Sequence, residues 1–293
     1  MSKRFIALVI SFLLLVVTIA GSVYILSIKS SVQTNEVLQE STVAEEQQSD
    51  IVSDVEVLPE KVPFFEDSVA LQDALDLWSS ELPIRSTASV VIADTDGTLI
   101  ASRNKDESYF AASIYKMFVA YAGYQQIDIG IVDPGELYLG SITRAECLDL
   151  MIRESDSPCA EKLWNELGKQ ELTNQLISYG ITNTSMVNIT TTANDSAIML
   201  GRIVRGQGLE LPSKTALLES MREQIYTEAL RSGFSDAVTV YSKVGFNGQD
   251  EYHDLGIIEL TDGRQVILSV MTDNVGTSRI ADLATKIELL IQK

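Results

Sequence analysis

The spacing of apolar residues changes several times along the chain after residue 65. Residues 66–81 carry apolar residues at helical spacing and are followed by Pro83, which predicts one helix. The apolar positions of that helix are Val69, Leu71, Leu75 and Trp78. Two apolar runs, ASVVIAD and TLIASR, then flank Thr95-Asp96-Gly97, which predicts a β-hairpin.

The rest of the pattern predicts helices first and strands afterwards. Ala112 to about Gly233 reads as successive helices. The runs AVTVYSKV, HDLGIIEL and QVILSVMTD then read as strands, the last two joined at Asp262-Gly263, and a closing helix runs from about Ser278 to Gln292. Strands that bracket a helical insertion predict an α+β fold, with an antiparallel sheet flanked by helices and an inserted all-helical lobe.

The N-terminal segment has a different pattern. Residues 5–26 form 22 positions without a charge, preceded by Lys3 and Arg4. At about 1.5 Å per residue this run can cross a hydrocarbon core of about 30 Å. The preceding positive charges predict a cytoplasmic N-terminus, with everything after Leu26 outside. A cleaved signal peptide is the alternative, although its apolar region is shorter and a small-x-small cleavage site is hard to find.

The composition also divides the chain. Between residues 30 and 63, eight acidic residues oppose only Lys61, and polar residues fill the gaps. Such a stretch predicts a flexible, charge-extended linker. We therefore expect a cytoplasmic stub and transmembrane anchor over 1–28, an acidic linker over 29–64 and a globular domain over 65–293. The protein would be a single-pass cell-membrane protein whose domain is extracytoplasmic.

The charge restricts the possible partners. The chain has 293 residues, 45% of them hydrophobic, and a formal net charge of -19. Phosphate binding needs clustered Lys and Arg, so no nucleic-acid partner is expected. The supply of metal ligands is poor, with one histidine, His253, and neither a metal nor another cofactor is predicted. We interpret His253 as a surface or sheet-end residue.

The segment AASIYKMF places Ser113 and Lys116 three residues apart. On a helix they would share one face, and a lysine with a lowered pKa can take the proton of a serine hydroxyl. If Ser113 begins its helix, free N–H groups and the helix dipole would favour an oxyanion there. The alternative is a capping serine followed by an exposed lysine.

A second candidate lies between two predicted helices. Thr143 and Glu146 form a capping box, and Ser157-Pro158 predicts an N-cap with proline at the first helical position. Ser155 and Asp156 would then lie in a tight turn between the helices. Their side chains could point into a cleft, or the pair could serve only to break the helix.

Two cysteines, Cys147 and Cys159, lie on these two predicted helices. In an exported protein they could form a disulfide, or they could be two buried free thiols.

A third candidate is Lys243-Val244-Gly245 in a predicted strand. Glycine in a strand often marks the close approach of a ligand or of another backbone. A lysine on an edge strand can also serve only to prevent aggregation.

In this order, the three motifs resemble the S-x-x-K, S-D-N and K-T-G set of class A β-lactamases and penicillin-binding proteins. The resemblance covers about residues 65–293 and implies the β-lactamase-like fold. It implies that Ser113 is the acylated nucleophile and that Lys116 helps to deprotonate it. Ser155 would pass a proton to the leaving nitrogen, and Lys243 would supply positive potential.

The resemblance also implies a substrate-binding set. Its members are Ser157, Val244, Gly245 and Phe246, with the backbone N–H groups of Ser113 and Phe246 as the oxyanion hole. Asp156 would brace the turn and not react.

The chain departs from the family at positions that bind substrate. Ser157 replaces the usual asparagine, Val244 replaces the threonine that contacts the substrate carboxylate, and Leu255 stands where many members have arginine. Carboxylate recognition would be weakened unless Arg279 or His253 reaches in.

A fourth departure concerns hydrolysis. The segment GITNTSMVNITTT contains no acidic residue, and the family's loop with its deacylating glutamate is expected to be deleted. Without a general base, deacylation should lose a factor of about 10² to 10⁴.

The sequence therefore predicts a membrane-tethered serine hydrolase that forms an acyl-enzyme from a β-lactam or a D-alanyl peptidoglycan-type peptide and deacylates slowly. One alternative is a degenerate domain of this fold that binds or senses such ligands at the cell surface. Another is a regulatory domain that uses the fold only as an interaction surface.

Overall fold

The structure is a computed structural model, and it describes residues 68–248 and 251–292. The predicted membrane anchor and acidic linker lie outside the described residues. Among the helices that are described, none is both long and apolar enough to span a bilayer.

A five-stranded antiparallel sheet forms the centre of the domain. Its strands are β1 Thr87–Asp94, β2 Leu99–Arg103, β7 Thr239–Phe246, β8 Glu251–Glu259 and β9 Gln265–Asp273. Their spatial order is β2-β1-β9-β8-β7, so β7 lies at one edge. Two short pairs lie outside the sheet: β3 Tyr109–Phe110 with β6 Thr190–Thr191, and β4 Leu137–Leu139 with β5 Ile142–Thr143.

Both predicted hairpins are present. Asp94 and Thr98 close the first hairpin through a backbone hydrogen bond of 2.8 Å. Gly97 supplies the positive φ, 93°, that this turn requires. At the second hairpin, Leu260 donates to the carbonyl oxygen of Arg264 at 2.8 Å.

Helices cover the sheet and form the predicted lobe. The chain forms α1 Ser68–Ser80, a 3₁₀ turn Ala112–Ile114, α2 Tyr115–Asp128, α3 Arg144–Arg153, α4 Ser157–Leu167, α5 Lys169–Ser178, α6 Ala193–Val204, α7 Leu211–Arg222, α8 Leu230–Gly233 and α9 Thr277–Ile291. The predicted first helix corresponds to α1 and the closing helix to α9. Helices α2 to α7 lie between β2 and β7 in the chain and form the inserted lobe.

The side chains of β9 point alternately into two hydrophobic cores, one on each face of the sheet. Leu268 and Val270 pack into a core with α1 and α9. Ile267 and Met271 pack into a second core with the inserted helices. Since side chains of a strand point alternately to opposite faces, the continuous apolar run QVILSVMTD serves both cores. The predicted α+β class, with a helix-flanked antiparallel sheet and a helical lobe, is confirmed.

Candidate active site

Ser113 lies in the 3₁₀ turn that leads into α2. Ala112, just before it, has a φ of 43°, and a non-glycine residue in that region is costly unless its surroundings hold it. The backbone N–H of Ala111 donates to the carbonyl oxygen of Ile189 at 2.8 Å, which fixes the turn from the other side. Ser113 is half-buried and lies in the 3₁₀ turn at the start of α2, so the condition for oxyanion stabilisation by the helix start is met.

Ser155 lies in the turn between α3 and α4, with a φ of 58°. Asp156 caps α4, because its Oδ1 accepts the backbone N–H of Cys159 at 2.8 Å. The predicted N-cap at Ser157 is therefore wrong by one residue: Asp156 has the non-helical backbone of a cap, and Ser157 is the first helical residue. The hydroxyl of Ser157 is thus left available to the site. The capping box of Thr143 with Glu146 is confirmed at the start of α3.

A disulfide joins the two helices around this turn. Cys147 of α3 and Cys159 of α4 are bonded, with their Cα atoms 5.2 Å apart. Of the two possibilities left open by the sequence, a disulfide and two free thiols, the structure has the disulfide.

Lys116 points from α2 into the same turn. Its side chain is almost fully buried, and its Nζ donates to the carbonyl oxygen of Ser155, to Ser155 Oγ at 3.3 Å and to Ser157 Oγ at 3.1 Å. Burial lowers the pKa of Lys116 to about 8, against the opposing charges of Asp156 and Glu161. A substantial fraction of this amine is therefore neutral at mildly alkaline pH.

Lys243 enters from β7 and is fully buried. Its Nζ donates to Ser155 Oγ at 3.0 Å and to the carbonyl oxygen of Val244 at 2.8 Å. Burial, and secondarily the charge of Lys116, holds the pKa of Lys243 well below its usual range. The structure thus brings Lys116, Ser155, Ser157 and Lys243 together, although the chain separates them widely.

Gly245 brings β7 against the turn that carries Ser113. A Cβ at residue 245 would lie 2.9 Å from the carbonyl oxygen of Ala111 and 3.0 Å from the backbone nitrogen of Ile114. The predicted close approach is confirmed, and the partner is a backbone segment. Phe246, the next residue, ends the strand with its side chain 41% exposed.

Gln224, which follows α7, is a site residue that the sequence pattern did not reveal. Its Oε1 accepts the backbone N–H of Val244 at 2.9 Å and lies 3.5 Å from the Nζ of Lys243. Its Nε2 donates to Ser242 Oγ at 3.0 Å. This buried amide therefore fixes the strand segment that carries Lys243. Nothing in the local sequence distinguishes it from a surface glutamine after a helix.

Leu255 and His253, which bear on the expected carboxylate recognition, are both buried. Leu255 is fully buried in the core beside the inserted helices. His253 was expected at the surface or at the end of the sheet. The surface position is wrong, because its side chain is fully buried. Its Nε2 lies 2.8 Å from the carbonyl oxygen of Phe110, and its Nδ1 accepts the N–H of Thr272. Both nitrogens of His253 are therefore occupied in the core.

The side chain of Arg279 is also engaged, and its partners do not belong to the cluster of Lys116, Ser155, Ser157 and Lys243. Its guanidinium donates to the carbonyl oxygen of Glu81 at 2.6 Å and lies 3.6 Å from the carboxylate of Asp282. The described residues contain no group of three or more His, Cys, Asp or Glu side chains placed to hold a metal ion.

The segment 179–192 is a compact turn between α5 and α6. Ser185 and Thr190 exchange backbone hydrogen bonds of 2.9 and 3.1 Å. Asp195, from the first turn of α6, reaches back and accepts from the N–H of Asn183 and from Thr184 Oγ1. This carboxylate is buried and braces the turn, and residues 179–192 themselves include no Asp or Glu.

Comparisons with known proteins agree with this architecture. A family model described as "Beta-lactamase enzyme family" matches residues 71–291. Among solved structures, PBP-A is 23% identical, with a TM-score of 0.68 over 76% of this chain and 96% of its own. A β-lactamase from Xanthomonas campestris pv. campestris is 20% identical, with a TM-score of 0.69 over 76% and 98% of the two chains. These structures share the fold.

A point mutant of PBP-A, solved as an acyl-enzyme complex with penicillin G, is 22% identical, with a TM-score of 0.68 over 77% of this chain and 97% of its own. No match was found among curated proteins.

Proposed function

This chain belongs to the beta-lactamase enzyme family and is a serine hydrolase of the β-lactamase type, and we propose that it forms an acyl-enzyme on Ser113. The observation that supports this most directly is the position of Ser155 Oγ. It lies 3.3 Å from the amine of Lys116 and 3.0 Å from that of Lys243. A hydroxyl between two buried amines is suited to pass protons between them.

In the proposed acylation, Ser113 Oγ attacks the carbonyl carbon of an amide and a C–O bond forms. The proton of Ser113 passes to the neutral amine of Lys116, whose lowered pKa makes it a base. The backbone N–H groups of Ser113 and Phe246 stabilise the oxyanion. The C–N bond then breaks, and the leaving nitrogen takes a proton through Ser155 from the lysine amines. Ser157 contacts the substrate, whereas the side chain of Val244, expected to bind substrate, is fully buried and its N–H is bonded to Gln224.

We propose a β-lactam or a D-alanyl peptide of the cell wall as substrate. Support comes from the family match and from the likeness to PBP-A, a mutant of which was solved as an acyl-enzyme with penicillin G. We propose further that deacylation is slow, because residues 179–192 offer no carboxylate to activate water and Asp195 is used to brace that turn.

Intact mass spectrometry of the full chain with benzylpenicillin tests this function. We expect one stoichiometric adduct that maps to Ser113, is missing in Ser113→Ala and persists after the free drug is removed. A protein with no adduct on Ser113 would contradict the proposed chemistry. Rapid loss of the adduct with sustained product release would leave acylation intact and contradict slow deacylation.

A second candidate function is ligand sensing at the cell surface without turnover. The turn over 179–192, which lacks a carboxylate, favours it, because a long-lived acyl-enzyme reports the presence of a ligand. A stable adduct with no detectable product favours sensing, and slow but continuing product release favours a hydrolase. A domain that serves only as an interaction surface would form no adduct.

We also propose that the chain is tethered to the cell membrane through residues 5–26, with the domain outside. The uncharged run of 22 residues and the disulfide of Cys147 with Cys159 support this arrangement. Protease added to intact cells should remove the domain, and carbonate washing of membranes should not release the full chain. A domain that is protected in intact cells would contradict the proposed orientation.

A further inference from the structure

His253 is the only histidine of the chain, and it lies in the core close to the turn that carries Ser113. In β8 it is the cross-strand partner of Gly245, so both residues face the same side of the sheet. Gly245 packs against the carbonyl group of Ala111, and the Nε2 of His253 lies 2.8 Å from the carbonyl oxygen of Phe110. Two neighbours in the sheet therefore contact two successive carbonyl groups just ahead of the nucleophile.

The hydrogen bonds of His253 determine where its imidazole carries hydrogen. Nδ1 accepts the backbone N–H of Thr272 at 3.1 Å. Because a backbone N–H can only donate, Nδ1 must present a lone pair. The carbonyl oxygen of Phe110 can only accept, so the hydrogen must lie on Nε2. The imidazole is therefore neutral and donates from Nε2 to Phe110.

The surroundings of the imidazole keep it in this form. Tyr109 of β3 meets it edge-on, with ring centroids 5.7 Å apart. Burial lowers the pKa of His253 below its ordinary value, against the hydrogen bond to Phe110 and the charge of Asp273 in β9. A proton on Nδ1 would also face the N–H of Thr272, which is itself a donor. A charged imidazole therefore cannot keep both hydrogen bonds.

The segment ahead of the nucleophile is short and strained. β3 has two residues and pairs with the two-residue strand β6, and so short a ladder contributes little stability by itself. Ala112 has a φ of 43°, a conformation that persists only where the surroundings hold it. The hydrogen bond from His253 attaches this segment to the five-stranded sheet, which also carries Lys243.

We propose, on the basis of the function proposed above, that His253 is a positioning residue for acylation. Its Nε2–H holds the carbonyl group of Phe110 and thereby places Ser113 relative to Lys243. His253 takes no proton from Ser113, because both of its nitrogens are already bonded in the core. The one histidine of the chain thus acts through the position of the serine and not as its base.

Two amide substitutions separate the two hydrogen bonds of the imidazole. The carboxamide oxygen of asparagine takes the place of Nδ1, so His253→Asn keeps the acceptor for Thr272 and loses the donor to Phe110. The carboxamide nitrogen of glutamine can reach the place of Nε2, so His253→Gln keeps the donor to Phe110 and loses the acceptor. The glutamine variant is therefore the matched control for the loss of a buried imidazole.

The rate of adduct formation on Ser113 of the full chain, followed by intact mass over a range of benzylpenicillin concentrations, measures the effect. His253→Asn should lower the first-order acylation constant by about 10²-fold, since a small displacement of the attacking atom has that effect. The half-saturating concentration should change little, and His253→Gln should retain most of the wild-type rate. A folded His253→Asn protein that acylates at the wild-type rate, or a His253→Gln protein that is equally slow, would overturn the proposal. No adduct on the wild-type protein would overturn the proposed function and this inference with it.

A nitrogen spectrum of the wild-type protein tests the same proposal without a substitution. Since the chain has one histidine, ¹⁵N labelling of histidine in the untagged full chain gives the signals of a single imidazole. We expect hydrogen on Nε2 alone at neutral pH, in the free protein and in the penicillin adduct. Hydrogen on Nδ1, or an imidazolium ion, would show that His253 does not donate to Phe110 in the way proposed and would overturn its role.

Discussion

Gly245 packs directly against Ala111, so closely that a side-chain carbon on the glycine would lie 2.9 Å from the alanine carbonyl oxygen. The contact is between two backbone segments, and neither can withdraw as a flexible side chain could. It sets the distance between the strand with Lys243 and the turn with Ser113.

Gly245→Ala should therefore move β7 away from the 3₁₀ turn and slow acylation by about 10²-fold, since a displacement of about 1 Å at a reacting group has that effect. The rate of adduct formation with benzylpenicillin measures it. Gly248→Ala, just beyond β7, is a control for the loss of a glycine, because nothing lies near its added carbon, although its φ of 78° strains the turn. Equal rates for the Gly245→Ala and wild-type proteins would contradict the role of this contact.

Acylation should increase with pH through about 8. The neutral amine of Lys116 accepts the serine proton and the ammonium form cannot, so lowering the pH below its pKa of about 8 removes the base about tenfold per pH unit. Initial acylation rates between pH 6 and 10 measure the profile.

Removing one carboxylate that acts on Lys116 tests whether the pH dependence of acylation follows the pKa of this amine. The charge of Glu161 raises the pKa of the amine, so Glu161→Gln should move the midpoint to lower pH. Asp236→Asn removes an exposed carboxylate that does not act on Lys116 and should leave the midpoint in place. A profile independent of pH would show that Lys116 is not the base.

Asp254→Asn should stabilise the protein at alkaline pH. Burial raises the pKa of Asp254 to about 7 from an ordinary value of 3.8. Between these values the folded protein holds a proton that the unfolded chain has lost, so the stability contributed by this group falls as the pH rises. Asparagine keeps an acceptor for the N–H of Leu230 and removes the buried charge.

Thermal unfolding at several pH values measures this effect. At pH 8 the Asp254→Asn protein should have a Tm higher by roughly 5 °C, and the difference should narrow toward pH 4. Asp236→Asn at the surface provides the matched control. A Tm difference that does not depend on pH would rule out titration of Asp254 as its cause.

The disulfide should contribute about 3 kcal/mol to the free energy of unfolding, because it closes a short loop in the unfolded chain. Reductant should lower the urea midpoint of the wild-type protein accordingly. The double replacement Cys147→Ala with Cys159→Ala should start from the lower midpoint and show no response to reductant. Equal midpoints with and without reductant in the wild type would contradict the expected contribution.

Local signals in the sequence predicted most of the secondary structure and the motif residues. The Asp-Gly turns, the capping box at Thr143 and the helical spacing of α1 each depend on a few neighbouring residues, and all are confirmed. Gly245 was also recognisable, because glycine weakens a strand and is typical of places where another backbone comes close.

Features that depend on tertiary packing could not be predicted in this way. Asp156 and Ser157 are both good N-caps, and the backbone conformation selected the first. The sequence of β8 does not show how deeply His253 is buried. The disulfide depended on how α3 and α4 cross, and Gln224 acts on a strand 20 residues away in sequence.

Gln224 also covers part of the open edge of the sheet. β7 is the last strand of the sheet, and an open strand edge offers its backbone groups to any other extended chain. The amide oxygen of Gln224 occupies the N–H of Val244 in that edge, so a second copy could not add a strand there without displacing it. The side chain that positions Lys243 thus also blocks one backbone group at which a further strand could pair.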